Sequence, residues 1–197
     1  LQLSMTENYK TISTAVTTEF KDRGSKFLGH AFPVKSTDEF KKILKELKAE
    51  HPKANHHCFA YRLGLDKNNF RSSDDGEPAG SAGKPILGQI DSKELTDTAV
   101  VVVRYFGGTL LGVPGLINAY KTTTSLLLQL SPIIIKNVVK EFTLDFGHAE
   151  MNDVLSMFKK LNIEIIEKEI NLFCKIKAAV DIGKIEILEN FIKNSGL

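Results

Sequence analysis

The stretch "SSDDGEPAGSAGKPILGQI", residues 72–90, places Asp74, Asp75 and Glu77 within four positions. Carboxylates this close can hold a divalent cation through their oxygens, or one of them can serve as a general base. The blander use of the same residues is an Asp-Gly turn flanked by solvated acids. The acid spacing of a calcium loop is not met, so these three are only weak metal candidates. Gly83 and Lys84 invite a phosphate-loop comparison. That motif needs Gly five positions ahead of the Gly-Lys pair and Ser or Thr after the Lys, and this chain has Pro78 and Pro85 there. An anion at the N-terminus of a helix beginning near Lys84 remains chemically sensible, since free N–H groups and the helix dipole favour it.

A second stretch, Arg104-Tyr105-Phe106-Gly107-Gly108, follows a run of apolar residues. An arginine at the end of a buried strand must meet an acid, a phosphate or water, because unpaired burial is costly. The acids of residues 74–77 are candidate partners, and so is a phosphate. The adjacent aromatics could stack on bases. The structural alternative is an arginine–carboxylate pair tying two loops together. Eight of the 14 glycines lie between Gly76 and Gly115, and two loops this rich in glycine could aim backbone N–H groups into one cleft. The glycine spacing of "GGTLLGVPG" is not that of a dinucleotide fingerprint.

His56, His57 and Cys58 resemble metal ligands in a row. On a strand, however, His56 and Cys58 share a face that His57 does not, and no second ligand pair lies at zinc-finger spacing. No partner is visible for His30, His51 or His148. No nucleophile elbow, completed metal set or cofactor motif is present, so no catalytic residue and no cofactor is assigned.

These groups need a scaffold. Residues 11–20 are β-branched and read as a strand, "KDRG" as a turn, and residues 25–34 as the antiparallel partner. A helix over 36–51 has Ser36 or Thr37 as cap, with Phe40, Ile43, Leu44 and Leu47 on one face. Residues 56–65 read as a strand, "DKNN" as a turn, residues 82–93 as a short helix and residues 96–106 as a strand covered on both faces. A loop then leads to an apolar helix over 116–130. After Ser131-Pro132 glycine nearly vanishes. The order there is β-α-β-β-α, a ferredoxin-like unit without its last strand. The expected division is residues 1–131 and 132–197, with residues 1–8 a remnant or tail ahead of the fold, since Leu1 is not an initiator.

Composition sets limits. With 197 residues, 42% hydrophobic and 25% charged, the chain can build a real core. Its +2 formal charge does not announce a nucleic-acid binder. Two distant cysteines argue against a disulfide scaffold, and the longest apolar runs are too short to cross a bilayer. A cytoplasmic location is expected, with neither DNA nor a membrane as partner.

Taken together, the two loops resemble the YigZ/IMPACT family. The residues that carry the likeness are Gly83, Ile86-Leu87, Ile90, Leu95, Val101-Val102, Arg104, Tyr105-Phe106, Gly107-Gly108, Leu111 and Gly112, with "HHCFAYRLG" and the Gly-Leu-x-x-Ala-Tyr of residues 115–120 in support. Two positions depart from the pattern: Asn118 stands where members often carry Arg, and Pro114 where glycine is frequent. If the helix Arg meets phosphate in relatives, this chain either binds it more weakly or uses Lys121 one turn on. The resemblance implies an α+β protein. Its first domain would share a fold with ribonuclease PH and a small-subunit ribosomal protein. Its second, ferredoxin-like domain would look like the fifth domain of elongation factor G. Eukaryotic relatives are translational regulators that compete for an activator of a stress kinase, and no such kinase is obvious for a bacterial-type chain. The expected function is therefore non-enzymatic: binding of RNA, the ribosome or a ribosome-bound factor. The expected binding residues are Asp74, Asp75, Glu77, Gly83, Lys84, Arg104, Tyr105, Phe106, Gly107, Gly108, Asn118 and Lys121. The alternatives are a metal-dependent hydrolase or phosphoryl-transfer enzyme built on Asp74, Asp75 and Glu77, and a protein adaptor without nucleic-acid contact.

Overall fold

The computed structural model describes residues 7–66 and 68–195, and the chain divides into two compact units. The first is Tyr9–Lys136; the second comprises the described residues of Leu1–Asn8 and Asn137–Leu197. In chain order the first unit contains β1 (Asn8–Ile12), β2 (Val16–Asp22), β3 (Ser25–Pro33), α1 (Thr37–Glu50), β4 (His56–Leu63), β5 (Asn69–Ser73), α2 (Gly83–Ser92), β6 (Thr98–Tyr105), α3 (Gly112–Leu130) and β7 (Ile133–Asn137), save for the boundary residues Asn8 and Asn137. Five strands form an antiparallel sheet in the order β2-β3-β6-β4-β5, and β1 pairs with β7.

The apolar run at the centre of the sequence becomes the central strand. Val100, Val101, Val102 and Val103 of β6 are all fully buried because both faces of the sheet are covered. On one face Val100 and Val102 pack with Cys58 and Ala60 of β4, Ile86 and Ile90 of α2, and Tyr120 and Leu127 of α3. On the other, Ala99, Val101 and Val103 pack with Phe59, Tyr61 and Leu63 of β4 and with Phe40 and Leu47 of α1. Ser36 caps α1 by accepting the Glu39 amide at 3.2 Å. The β2–β3 hairpin turns through Arg23 and Gly24, both at positive φ (44° and 80°), which suits the twist of a tight hairpin. The buried threonines of α3 are satisfied internally: Thr123 and Thr124 donate to the carbonyls of Ala119 and Tyr120 at 2.7 and 2.8 Å.

Several elements differ from the sequence expectation. Residues 11–20 hold two strands, separated at residues 13–15, rather than one. Strand β5 is an addition, because its exposed edge position leaves no apolar alternation in "NFRSS". Helix α3 starts at Gly112 instead of residue 116, with Pro114 in its first turn, where a missing N–H costs nothing. Beyond Ser131-Pro132 the chain first makes β7, so the division falls after Lys136. The tail expected over residues 1–8 falls mostly outside the described residues, but Asn8 already begins β1.

The second unit contains β8 (Val139–Phe146), α4 (Met151–Leu161), β9 (Glu164–Ile170), β10 (Cys174–Asp181) and α5 (Ile185–Ser195), with a sheet order of β8-β10-β9. Cys174, Ile176, Ala178 and Val180 alternate along β10 into one core with Val154 and Phe158 of α4 and Leu188 of α5. No helix among the described residues is long and apolar enough to cross a membrane.

Candidate functional site

The two loops singled out above converge at one end of the first unit's sheet. Antiparallel pairing sets Phe27 of β3, Arg104 of β6 and His56 of β4 directly opposite one another. Arg104 lies two residues beyond Val102, so strand parity turns its side chain toward the α2–α3 face. There the Arg104 guanidinium is nearly sealed from solvent, with 6% of its side chain exposed. Its Nη1 donates to Glu77 Oε1 at 2.6 Å and its Nη2 to Ser25 Oγ at 3.3 Å, while Nε has no partner among the described residues. The guanidinium carbon sits 5.5 Å from the Phe27 ring centre and 5.8 Å from that of Phe106.

Glu77 is the acid that this arginine requires. Its side chain is 3% exposed, and Oε1 also accepts from the Tyr120 hydroxyl of α3 at 2.7 Å. The Cys58 thiol continues the network, 3.0 Å from the Asp74 carbonyl and 3.2 Å from Tyr120 Oη. Burial pushes the Cys58 thiol up to about 12, only partly countered by the hydrogen bond with Tyr120. Burial likewise pushes the Tyr120 hydroxyl upward, with Cys58 and Glu77 adding to the effect. Glu77 Oε2 carries no hydrogen bond among the described residues and lies 3.8 Å from His56 Nε2, an ion pair when that ring is protonated.

The other two acids organise backbone. Asp74 accepts the amides of Gly80 (2.8 Å), Ala82 (2.9 Å) and Gly83 (2.8 Å). The anion foreseen at the N-terminus of α2 is therefore the chain's own carboxylate. Burial alone would raise the Asp74 carboxyl, but these three donors outweigh it and hold the group below its ordinary value. Gly83 must be glycine, since a Cβ there would lie 2.6 Å from the Ser73 nitrogen. Asp75 accepts the His57 amide at 2.6 Å and Lys48 Nζ at 3.2 Å, and its carbonyl meets His56 Nδ1 at 2.9 Å. No group of three or more His, Cys, Asp or Glu side chains among the described residues could hold a metal ion. Asp74, Asp75 and Glu77 thus each serve different donors.

Above the Glu77–Arg104 pair lies a cavity of about 430 Å³. Its walls are Pro78, Phe106, Leu110, Leu111, Val113 and Leu116, and its polar groups come from Asn55, His56, Glu77 and Arg104. The rim is apolar and open: Leu110 is 83% exposed, Phe106 46% and Val113 45%. Of the expected binding residues, Glu77, Arg104 and Phe106 line this cavity. Tyr105 points to the opposite face, where its hydroxyl meets His51 Nδ1 at 2.9 Å. Gly107 packs so tightly on Gly24 that a Cβ would fall 1.8 Å from the Gly24 carbonyl carbon. Lys84, Asn118 and Lys121 are exposed and outside the lining, and so is Gly108. The sequence reading missed His56, Asn55, Tyr120, Ser25 and the start of α3. It also left His51 and His148 unpartnered, whereas His51 meets Tyr105, and His148 contacts Asn171 O at 2.9 Å. Only the parity shared by His56, Cys58 and the Arg104 strand hinted at the common face.

Comparison with known proteins agrees with the two-loop signature. Residues 23–128 match the family model of the Impact N-terminal domain. An IMPACT family member of Haemophilus influenzae is 35% identical over 81% of this chain and 79% of its own. The Escherichia coli IMPACT family member YigZ is 33% identical over 84% of this chain and 80% of its own. A crystal structure of a hypothetical protein, 29% identical, superposes with a TM-score of 0.77 over 96% of this chain and 92% of the other.

Proposed function

This chain belongs to the IMPACT family, and on that premise we propose that it is a non-enzymatic, translation-associated regulator that binds a ribosome-bound protein factor through the cavity beside α3. The observation that carries the proposal is the charge state of the cavity. Its one arginine is closed on Glu77 at 2.6 Å, and the exposed rim is Phe106, Leu110 and Val113. A phosphate-binding groove needs available cations, and Lys84 and Lys121 are not among the lining residues. An apolar rim around a desolvated polar floor is what a protein side chain seeks. The translational role rests on the family resemblance to eukaryotic regulators.

The same proposal extends to fold kinship and location. We assign the first unit to the ribonuclease PH and ribosomal-protein fold. The second we assign to the fold of the fifth domain of elongation factor G, supported by its β8-β10-β9 order. The expected cytoplasmic location belongs with this role.

Co-sedimentation with ribosomes tests it. Pelleting that survives a rise from about 50 to about 200 mM salt supports a protein-mediated contact, because a phosphate-based complex loses about a thousandfold or more in affinity over that range. Pelleting abolished by salt returns the RNA reading; none under either condition removes the ribosome.

A further inference from the structure

The face of the sheet away from the cavity carries three histidines that the site does not use. His30 of β3 and His57 of β4 pair with Val101 and Val103 of β6, so both rings lie on the face that α1 covers. His51, the C-cap of α1, comes down on the same face. Its ring centre is 5.8 Å from that of His30, and its Nδ1 is 2.9 Å from the Tyr105 hydroxyl. In each of the three rings Nε2 is buried without a hydrogen-bond partner among the described residues. A neutral ring can leave a bare lone pair there. A protonated ring must place an N–H there, and a buried N–H with no acceptor is costly. Burial, then the nearby His51, lowers His30 from its ordinary value; burial, then Lys48, lowers His57.

The surrounding charges offer little to an added proton. From α1, Glu50 Oε1 stands 3.9 Å from His51 Nε2, but that side chain is 69% exposed, and Lys48 brings positive charge to His57. From the loop after β5, Asp75 Oδ2 is 3.9 Å from His57 Nδ1 but already accepts the His57 amide, and its other oxygen meets Lys48. Glu19 of β2, farther along this face, is taken by Lys21 and Lys26 at 3.0 and 2.8 Å. The cluster reaches the cavity through backbone. Ala54 N donates to the His51 carbonyl at 3.1 Å, Asn55 N to the Arg104 carbonyl at 2.9 Å, and Phe106 N to Asn55 Oδ1 at 2.8 Å. We propose that His30, His51 and His57 form a proton-sensitive clasp. It holds the end of α1 and, through residues 51–55, fixes Phe106 at the cavity; protonation releases both. As a control on partner binding the clasp rests on the proposed function; as a property of the fold it does not.

An opened segment takes up a proton near the ordinary 6.5, before the closed one does, so the clasp is whole above 6.5 and loosens as pH falls below it. Amide hydrogen exchange of the unmodified protein, corrected for the intrinsic rate of each amide, tests this. Asn55 and Phe106 report the clasp. Ile86, whose N–H is held by the Ala82 carbonyl at 3.0 Å on the other face of the sheet, reports opening of the whole unit. The expected result is that Asn55 and Phe106 lose about tenfold in protection for each proton taken up over the unit below about pH 6.5, while remaining less protected than Ile86. His30→Phe, which keeps an aromatic ring beside Phe32, shows a smaller loss. Protection at Asn55 and Phe106 that does not fall in acid, that equals that of Ile86, or that falls as far in the variant overturns the clasp. The outcomes separate from those of the ribosome experiment. A chain that pellets with ribosomes while these amides ignore pH loses only the clasp; one whose amides open in acid but which never pellets loses only the translational role.

Discussion

Removing Arg104 should destabilise the first unit more than removing Arg104 and Glu77 together. Arg104→Met keeps much of the side-chain volume beside Phe27 and Phe106 but strands the Glu77 carboxylate, of which 3% is exposed, with Tyr120 as its remaining donor. Breaking a buried pair in this way costs about 3–5 kcal/mol, because an uncompensated charge remains. With a urea dependence of about 2 kcal/mol per molar, the midpoint falls by about 2 M. The double variant Glu77→Leu/Arg104→Met leaves no buried charge, only a Tyr120 hydroxyl without its acceptor, at about 1–2 kcal/mol. Tyrosine fluorescence in urea is the assay. Tyr9, Tyr61, Tyr105 and Tyr120 are the chain's four tyrosines and all lie in Tyr9–Lys136, so the signal follows this unit alone. A midpoint shift below about 0.5 M for Arg104→Met, or a double variant weaker than both singles, would refute the argument that the pair is a closed, desolvated unit.

Three further outcomes follow from the same structure. Asp74→Ala removes the acceptor of three amides and should cost about 2 kcal/mol at neutral pH. Since the folded-state carboxyl is held below its ordinary 3.8, that contribution is present above 3.8 and vanishes as pH falls through the lower folded value; urea midpoints of both proteins should therefore converge in acid. His30 runs the other way: burial, then the nearby His51, lowers it from 6.5, so the unfolded chain takes up a proton first and stability drops as pH falls below 6.5. His30→Phe, against the parallel ring of Phe32, should flatten that acid limb between pH 7.5 and 5.5, and an unchanged slope would contradict it. Gly107→Ala must push the Gly24 turn aside and should cost about 3 kcal/mol, seen as a lowered thermal midpoint.

Local rules read well in this sequence wherever the residue's environment comes from its own segment. The valine run of β6 announced a strand covered on both faces, and α1 showed its cap and apolar face. The β-α-β-β-α order of the second unit was likewise visible in its alternation. The site was less legible because its bonds span long separations. Glu77 finds Tyr120, which sits in an apolar helix and reads as core, and Arg104 finds Ser25 across the sheet. The strand order that brings His56 beside Arg104 cannot be read from either strand alone. Asp74 looked like a solvated acid because its donors come six to nine residues later, at a helix start that its own side chain completes. Pro114 and its neighbouring glycines disguised the first turn of α3 as loop.

On the proposed function, an apolar rim over a closed ion pair, and not a set of cations, makes the contact with the translation machinery. Ribosome co-sedimentation of Leu110→Asp beside Lys84→Ala/Lys121→Ala tests it most directly, since all three positions are exposed and tolerate change without refolding the core. Leu110→Asp is expected no longer to pellet, while the double lysine variant pellets like the unmodified chain. The reverse pattern would contradict it and place the contact on phosphate.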